Sequence, residues 1–160
     1  MNATADLLRA ATLDLPPVST EVATTLPVRA EVAFEVFADA GETPRWLSVV
    51  QSARVMSRTP DGRPLQVSFH ANFERATLGY RVTYDYRPTE LTVRWSTDDG
   101  SAIRVDGEAR FTPLSPRACL MTYRLALELP VSRAQIERHY DGHAASAVVG
   151  DFREHLRRYV

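Results

Sequence analysis

Two histidines near the end of the sequence have the type and spacing that acid–base chemistry needs. His139 and His143 stand four residues apart, so on a helix they would be neighbours on one face. Imidazoles exchange protons or hydrogen-bond ligands near neutral pH. A zinc site needs at least a third protein ligand, and the sequence has no HExxH motif or Cys/His cluster to supply it. We therefore predict no metal, and this pair is either catalytic or a polar rim beside a buried helix face.

Three tyrosines form a second candidate group. Tyr80, Tyr84 and Tyr86 lie an even number of residues apart, which in a strand places their hydroxyls on one face. Buried phenols usually find a hydrogen-bond partner, so these could orient the polar end of a ligand or, at a rim, reach water. The sequence has no Ser/His/Asp context, GxSxG motif or Gly-rich phosphate loop. Hydrolysis, nucleotide chemistry and a cofactor therefore have no support.

A C-terminal helix must carry the two histidines. Ser132-Arg133-Ala134-Gln135 has the S-x-x-Q form of a capping box and predicts a helix that runs from Ser132 to about Tyr159. Apolar residues recur along this segment at helical spacing. They are Ile136, Tyr140, Ala144, Ala147, Val148, Phe152, Leu156 and Tyr159. The pattern predicts a long helix that covers an apolar surface.

The tyrosines belong to a segment in which apolar and polar residues alternate. Between residues 52 and 129 the alternation is interrupted by turn signals, which is typical of an antiparallel meander with one covered face. The turn signals are Asp61-Gly62, Pro88-Thr89, Asp99-Gly100 and Ser115-Pro116. Upstream, residues 18–26 read as a first strand and 28–38 as a helix, with a short helical turn around Pro44.

This order of elements resembles the helix-grip fold of the START-like superfamily (SRPBCC), which includes polyketide cyclases/dehydrases. Residues 33–47, with Val36-Phe37, Asp39 and Pro44-Arg45-Trp46, look like its opening V-F-x-x-L-x-D and P-x-W patterns, and residues 106–114 are similar to its G-x-x-x-F-x-P-L pattern. The resemblance implies an α+β fold. A curved antiparallel sheet of six to seven strands would wrap around the long C-terminal helix, with two short helices after the first strand. We assign residues 15–160 to one domain and 1–14 to an N-terminal arm.

The resemblance also implies a cavity between sheet and helix. The middle of the predicted helix is rich in small residues between Gly142 and Gly150, whereas the covered face of the sheet carries large aromatics, as small-molecule pockets usually do. Small residues could equally let the helix approach closely while the rings fill the core. Our candidates for the cavity wall are Trp46, Phe69, Phe73, Tyr80, Tyr84, Trp95, Tyr123, Tyr140, Ala144 and Ala147.

We therefore predict binding or transport of a hydrophobic small molecule, including aromatic and polyketide-like ones. One alternative is a polyketide cyclase, aromatase or dehydratase, with His139 or His143 as acid or base and tyrosines as hydrogen-bond donors. Aromatase/cyclases of the superfamily direct a charged or small hydroxyl residue inward where Tyr84 and Tyr86 stand here, and this departure argues against cyclase activity. A second alternative is a protein-interaction module without a ligand.

Charge and composition limit the partners and the location. The 19 basic residues are all arginines, scattered among 20 acidic residues, so no nucleic-acid-binding surface stands out. The sequence shows neither an apolar stretch long enough to span a membrane nor a signal peptide. Cys119 is the only cysteine, which suits a reducing cytoplasm. We predict a cytoplasmic protein with no nucleic-acid partner and no integral membrane association, and leave a homodimer open.

Overall fold

Seven strands and three α-helices make up the computed structural model, which describes residues 18–139 and 144–160. The strands are β1 (Val18–Leu26), β2 (Val50–Arg58), β3 (Pro64–Phe73), β4 (Ala76–Arg87), β5 (Thr92–Thr97), β6 (Arg104–Ser115) and β7 (Ala118–Glu128). The helices are α1 (Ala30–Ala38), α2 (Arg133–His139) and α3 (Ala144–Leu156), with short 3₁₀ turns at Ala40–Arg45, Pro88–Glu90 and Arg157–Tyr159. The predicted N-terminal arm, residues 1–14, lies outside the described residues.

The strands form one antiparallel sheet in the order β1-β7-β6-β5-β4-β3-β2. Strand β1 is an edge strand and pairs with β7, so that Val22 lies opposite Tyr123. The predicted alternation is visible in β3, where Phe69 and Phe73 are buried while His70 is exposed. The sheet therefore has a covered concave face, and the helix-grip fold class is confirmed.

The hairpin turns follow the sequence signals with one exception. Gly62 and Gly100 adopt positive φ angles of 91° and 79° at two of the predicted turns, a conformation that costs glycine little. Glu74, between β3 and β4, has a φ of 53°. Glutamate is not a usual residue for the left-handed region, so the sequence carried no signal for this two-residue loop.

The C-terminal segment covers the sheet as predicted. Helices α2 and α3 lie on either side of residues 140–143, which are outside the described residues. Helix α3 buries Val148, Phe152 and Leu156 and packs on β1 and β7. The prediction that Tyr159 belongs to the buried stripe is wrong, because α3 ends at Leu156 and the following 3₁₀ turn leaves Tyr159 53% exposed.

An aromatic cluster joins the helices to the sheet at one end of the core. Phe37 of α1 has its ring centroid 5.4 Å from that of Phe152 in α3 and 5.9 Å from that of Phe111 in β6. Phe152 also lies 4.9 Å from the Trp46 ring, centroid to centroid. These side chains are buried, so we infer that the cluster fixes α3 on the sheet.

The predicted capping box is confirmed by reciprocal hydrogen bonds. The Gln135 N–H donates to Ser132 Oγ at 3.2 Å, and the Ser132 N–H donates to Gln135 Oε1 at 3.1 Å. We expect Ser132→Ala to lower the free energy of unfolding by about 1 kcal/mol, because it removes one of these caps. Chemical denaturation would measure the change. Ser146→Ala, at an exposed position inside α3, is the control and should cost nothing; equal losses in both variants would contradict the capping role.

Candidate ligand-binding cavity

A cavity of about 240 Å³ lies between the concave face of the sheet and α3. Ordinary small-molecule pockets measure about 300–1,000 Å³, so this one suits a small ligand. Strands β3, β4 and β7 and the loop before β2 supply most of its wall, and residues of α1, β2, β5, β6 and α3 contribute the rest. Its lining is mainly aromatic and aliphatic. The inward-facing side chains of the strands therefore do not fill the space between the sheet and α3.

Most of the predicted wall residues meet at this cavity. Those that line it are Trp46, Phe69, Phe73, Tyr80, Tyr84, Trp95, Tyr123 and Ala147. Ala144 does not line it. Ala144 is buried at the start of α3. The N–H of the following residue, Ala145, donates to Thr20 Oγ1 of β1 at 3.1 Å. This turn of the helix therefore packs on strand β1 and not over the cavity. Tyr140 and His143 lie outside the described residues.

Aromatic rings form a continuous part of the wall. The Trp95 ring centroid lies 5.5 Å from that of Phe37, 5.6 Å from that of Tyr123 and 6.4 Å from that of Tyr84. Trp95 pairs in register with Gly107 of β6. A Cβ atom on Gly107 would come within 2.2 Å of the indole, so the missing side chain lets the Trp95 ring lie against β6.

Tyr84 and Tyr86 differ in what their hydroxyls contact. The Tyr84 side chain is 9% exposed, lines the cavity, and its hydroxyl has no hydrogen-bond partner among the described residues. Burial raises the pKa of Tyr84 well above its ordinary value, so its phenol stays protonated at neutral pH. The Tyr86 hydroxyl instead donates to the Pro64 carbonyl oxygen at 2.5 Å. Tyr86 is not part of the wall, so of these two tyrosines Tyr84 is the one that can meet a ligand.

A hydrogen-bonded link between two distant segments borders the cavity. Asp151 Oδ2 in α3 accepts from the Ser48 N–H at 3.1 Å and from Ser48 Oγ at 2.9 Å. Ser48 and Ala147 are exposed members of the wall, so we place the mouth of the cavity beside this link. No local spacing in the sequence points from Asp151 to a serine 103 residues away.

His139 stands near the cavity without belonging to its wall. Its side chain is exposed at the end of α2, and its ring centroid lies 4.5 Å from that of Phe73, which does line the cavity. The catalytic role of His139, like that of His143, stays a prediction.

Sequence comparison identifies one family over nearly the whole chain. Residues 17–160 match the family described as "Polyketide cyclase / dehydrase and lipid transport". We found no match among curated proteins. None of the helices in the described ranges is long and apolar enough to cross a membrane.

Solved structures share the fold at low sequence identity. A START superfamily protein from Mycobacterium smegmatis superposes with a TM-score of 0.76 and 17% identity, over 89% of this chain and 99% of that one. The Zhui aromatase/cyclase from Streptomyces sp. R1128 gives a TM-score of 0.73 and 12% identity, over 89% and 95% of the two chains. The di-domain ARO/CYC BexL of the BE-7585A biosynthetic pathway gives 0.66 and 12%, over 87% of this chain and 46% of that one. These structural similarities establish the fold. Function has to be argued from the residues of the cavity, because one fold hosts many functions.

Proposed function

Because the chain belongs to the polyketide cyclase/dehydrase and lipid transport family, we propose that it binds or transports a hydrophobic small molecule in the cavity under α3. The observation that carries the proposal is the 240 Å³ space itself, which mainly aromatic and aliphatic side chains line. Polar groups are few in its wall, as expected where hydrophobic burial supplies affinity and a few hydrogen bonds orient the ligand.

Ligand binding should raise the thermal stability of the protein. A ligand present at 100 times its Kd stabilises the folded state by about 2.7 kcal/mol, so the melting temperature should rise by several degrees with one of a panel of apolar molecules. Aromatic probes such as naphthalene and aliphatic probes such as decanol cover the main classes. If every apolar class left the melting temperature unchanged, the proposal would fail.

A matched pair of variants separates cavity binding from surface adsorption. Ala147 is exposed and also lines the cavity, whereas the adjacent Ser146 is exposed and does not line it. We expect Ala147→Phe to obstruct the mouth and abolish most of the shift in melting temperature, and Ser146→Phe to preserve it. Equal shifts in the two variants would show that the probes bind elsewhere.

A polyketide cyclase or dehydratase is the second candidate, which the family assignment also favours. Catalysis by a shaped pocket needs an acid or base within reach of the substrate. Within the described part of the wall, the ionisable side chains are tyrosines and Asp151, and the buried Tyr84 phenol is a hydrogen-bond donor but no base at neutral pH. This composition favours binding over catalysis. Turnover of a polyketide substrate that disappears in His139→Ala or His143→Ala would reverse that preference.

A protein-interaction role without a ligand would gain support if ligands failed and a partner bound the exposed apolar residues instead. We propose a cytoplasmic location because Cys119 is a buried free thiol, and cell fractionation would test it. A homodimer would be detected by light scattering.

A further inference from the structure

We propose that the cavity selects uncharged aromatic molecules that carry a hydroxyl or carbonyl group, and that the Tyr84 hydroxyl binds that group. The inference rests on the proposed function, since it names the ligand class of the same cavity. Three features of the wall support it: its size and ring content, its distribution of charge, and a Tyr84 hydroxyl that is hydrogen-bonded to no described residue.

The size and the wall favour a small fused-ring ligand. An apolar cavity of about 150 Å³ in another protein accommodates benzene, so a space of 240 Å³ has room for roughly two fused rings. The Trp95 ring centroid lies 5.5 Å from that of Phe37 and 5.6 Å from that of Tyr123. Phe69 and Tyr80 form a further pair at 5.7 Å. Aromatic rings pack well in tilted or offset contact with such neighbours.

The distribution of charge disfavours anions. Among the described lining residues no arginine or histidine is present, and the single acidic residue is Asp151. A carboxylate entering this wall would lose its hydration without a cation to replace it, and it would pass the negative charge of Asp151. Nearby arginines, Arg45, Arg157 and Arg158, line a separate surface groove that shares only Trp46 and Asp151 with the cavity.

Tyr84 supplies the polar recognition. The Tyr84 side chain is buried and lines the cavity, and no described residue is hydrogen-bonded to its hydroxyl. A hydrocarbon that displaces water from this hydroxyl would leave it without a hydrogen bond, which is unfavourable, so a ligand oxygen that accepts from the hydroxyl is selected over a hydrocarbon. The Tyr86 hydroxyl already donates a hydrogen bond to the Pro64 carbonyl oxygen. Replacing Tyr86 is therefore the control for replacing Tyr84.

Three matched probes test the proposal on the full chain at pH 7: 2-naphthol, 2-naphthoate and naphthalene. We expect 2-naphthol to bind at least tenfold more tightly than 2-naphthoate in calorimetric titrations. Tyr84→Phe should weaken 2-naphthol binding by about 2- to 12-fold, the range of a single hydrogen bond, and should leave naphthalene affinity within about twofold. Tyr86→Phe should change neither affinity.

The outcomes distinguish this proposal from the proposed function. Equal affinity for 2-naphthoate and 2-naphthol would overturn the selection against anions. A Tyr84→Phe variant that binds 2-naphthol as tightly as the wild type would overturn the role of Tyr84. Binding of decanol without binding of any naphthalene derivative would overturn the aromatic class while the proposed function stands. If neither aromatic nor aliphatic probes bind, the proposed function itself is wrong.

Discussion

Replacing Phe152 with alanine is expected to lower the free energy of unfolding by about 3–5 kcal/mol, the usual loss for a fully buried phenylalanine. Phe152 is 0% exposed, and its ring centroid lies within 6.2 Å of those of Phe37, Trp46 and Phe111. The truncation would leave a void where α1, α3 and the sheet meet. Urea denaturation measures the loss directly.

The same variant should also weaken ligand binding, because Trp46 contacts Phe152 and lines the cavity. Tyr159→Ala is the control. That residue follows the same helix and is 53% exposed, so its loss should change stability by no more than about 0.5 kcal/mol. If Phe152→Ala lowered the free energy of unfolding no more than Tyr159→Ala does, the aromatic cluster would not be the contact that fixes α3 on the sheet.

The direction of side chains on the sheet could be predicted because alternation is a local property. In β4, Tyr80, Val82 and Tyr84 all reach the cavity while Arg81 and Asp85 are exposed, as a period of two requires. The capping box at Ser132 is local in the same sense. Both signals lie within a few residues of sequence and need no knowledge of tertiary contacts.

Features that depend on distant segments could not be predicted. The link from Ser48 to Asp151 joins residues 103 positions apart, a separation that no local spacing pattern covers. Ala144 has the right spacing for the covered face, but its turn of helix packs on β1 rather than over the cavity. A helical stripe shows that a residue faces the sheet, not which strand lies beneath it.

The cavity itself illustrates the same limit. Period and residue size indicated which rings face inward, whereas the space between them depends on how far α3 stands from the sheet. We attribute that separation to contacts near the two ends of α3, the Phe152 cluster and the Thr20 hydrogen bond. Neither contact is encoded in a short sequence pattern.

Gly107→Ala is expected to be the most damaging small substitution in the sheet, with a loss of about 2–3 kcal/mol, near the top of the usual range for overpacking. The new Cβ would lie 2.2 Å from Trp95 Cζ2 and 2.7 Å from the Arg124 carbonyl oxygen. The backbone oxygen belongs to the neighbouring strand and cannot rotate away. Relief therefore requires the indole to move and the strands to separate locally, and thermal or chemical denaturation would record the cost.

Gly150→Ala is the matched control, because a Cβ at Gly150 in α3 meets no atom within 4 Å. Alanine is the better helix former, so this variant should gain up to about 1 kcal/mol. Displacement of Trp95 should also distort one wall of the cavity, so Gly107→Ala should lose ligand affinity while Gly150→Ala retains it. Stability and affinity both unchanged in Gly107→Ala would mean that the indole does not lie against β6, and the cavity would then need a different wall on that side.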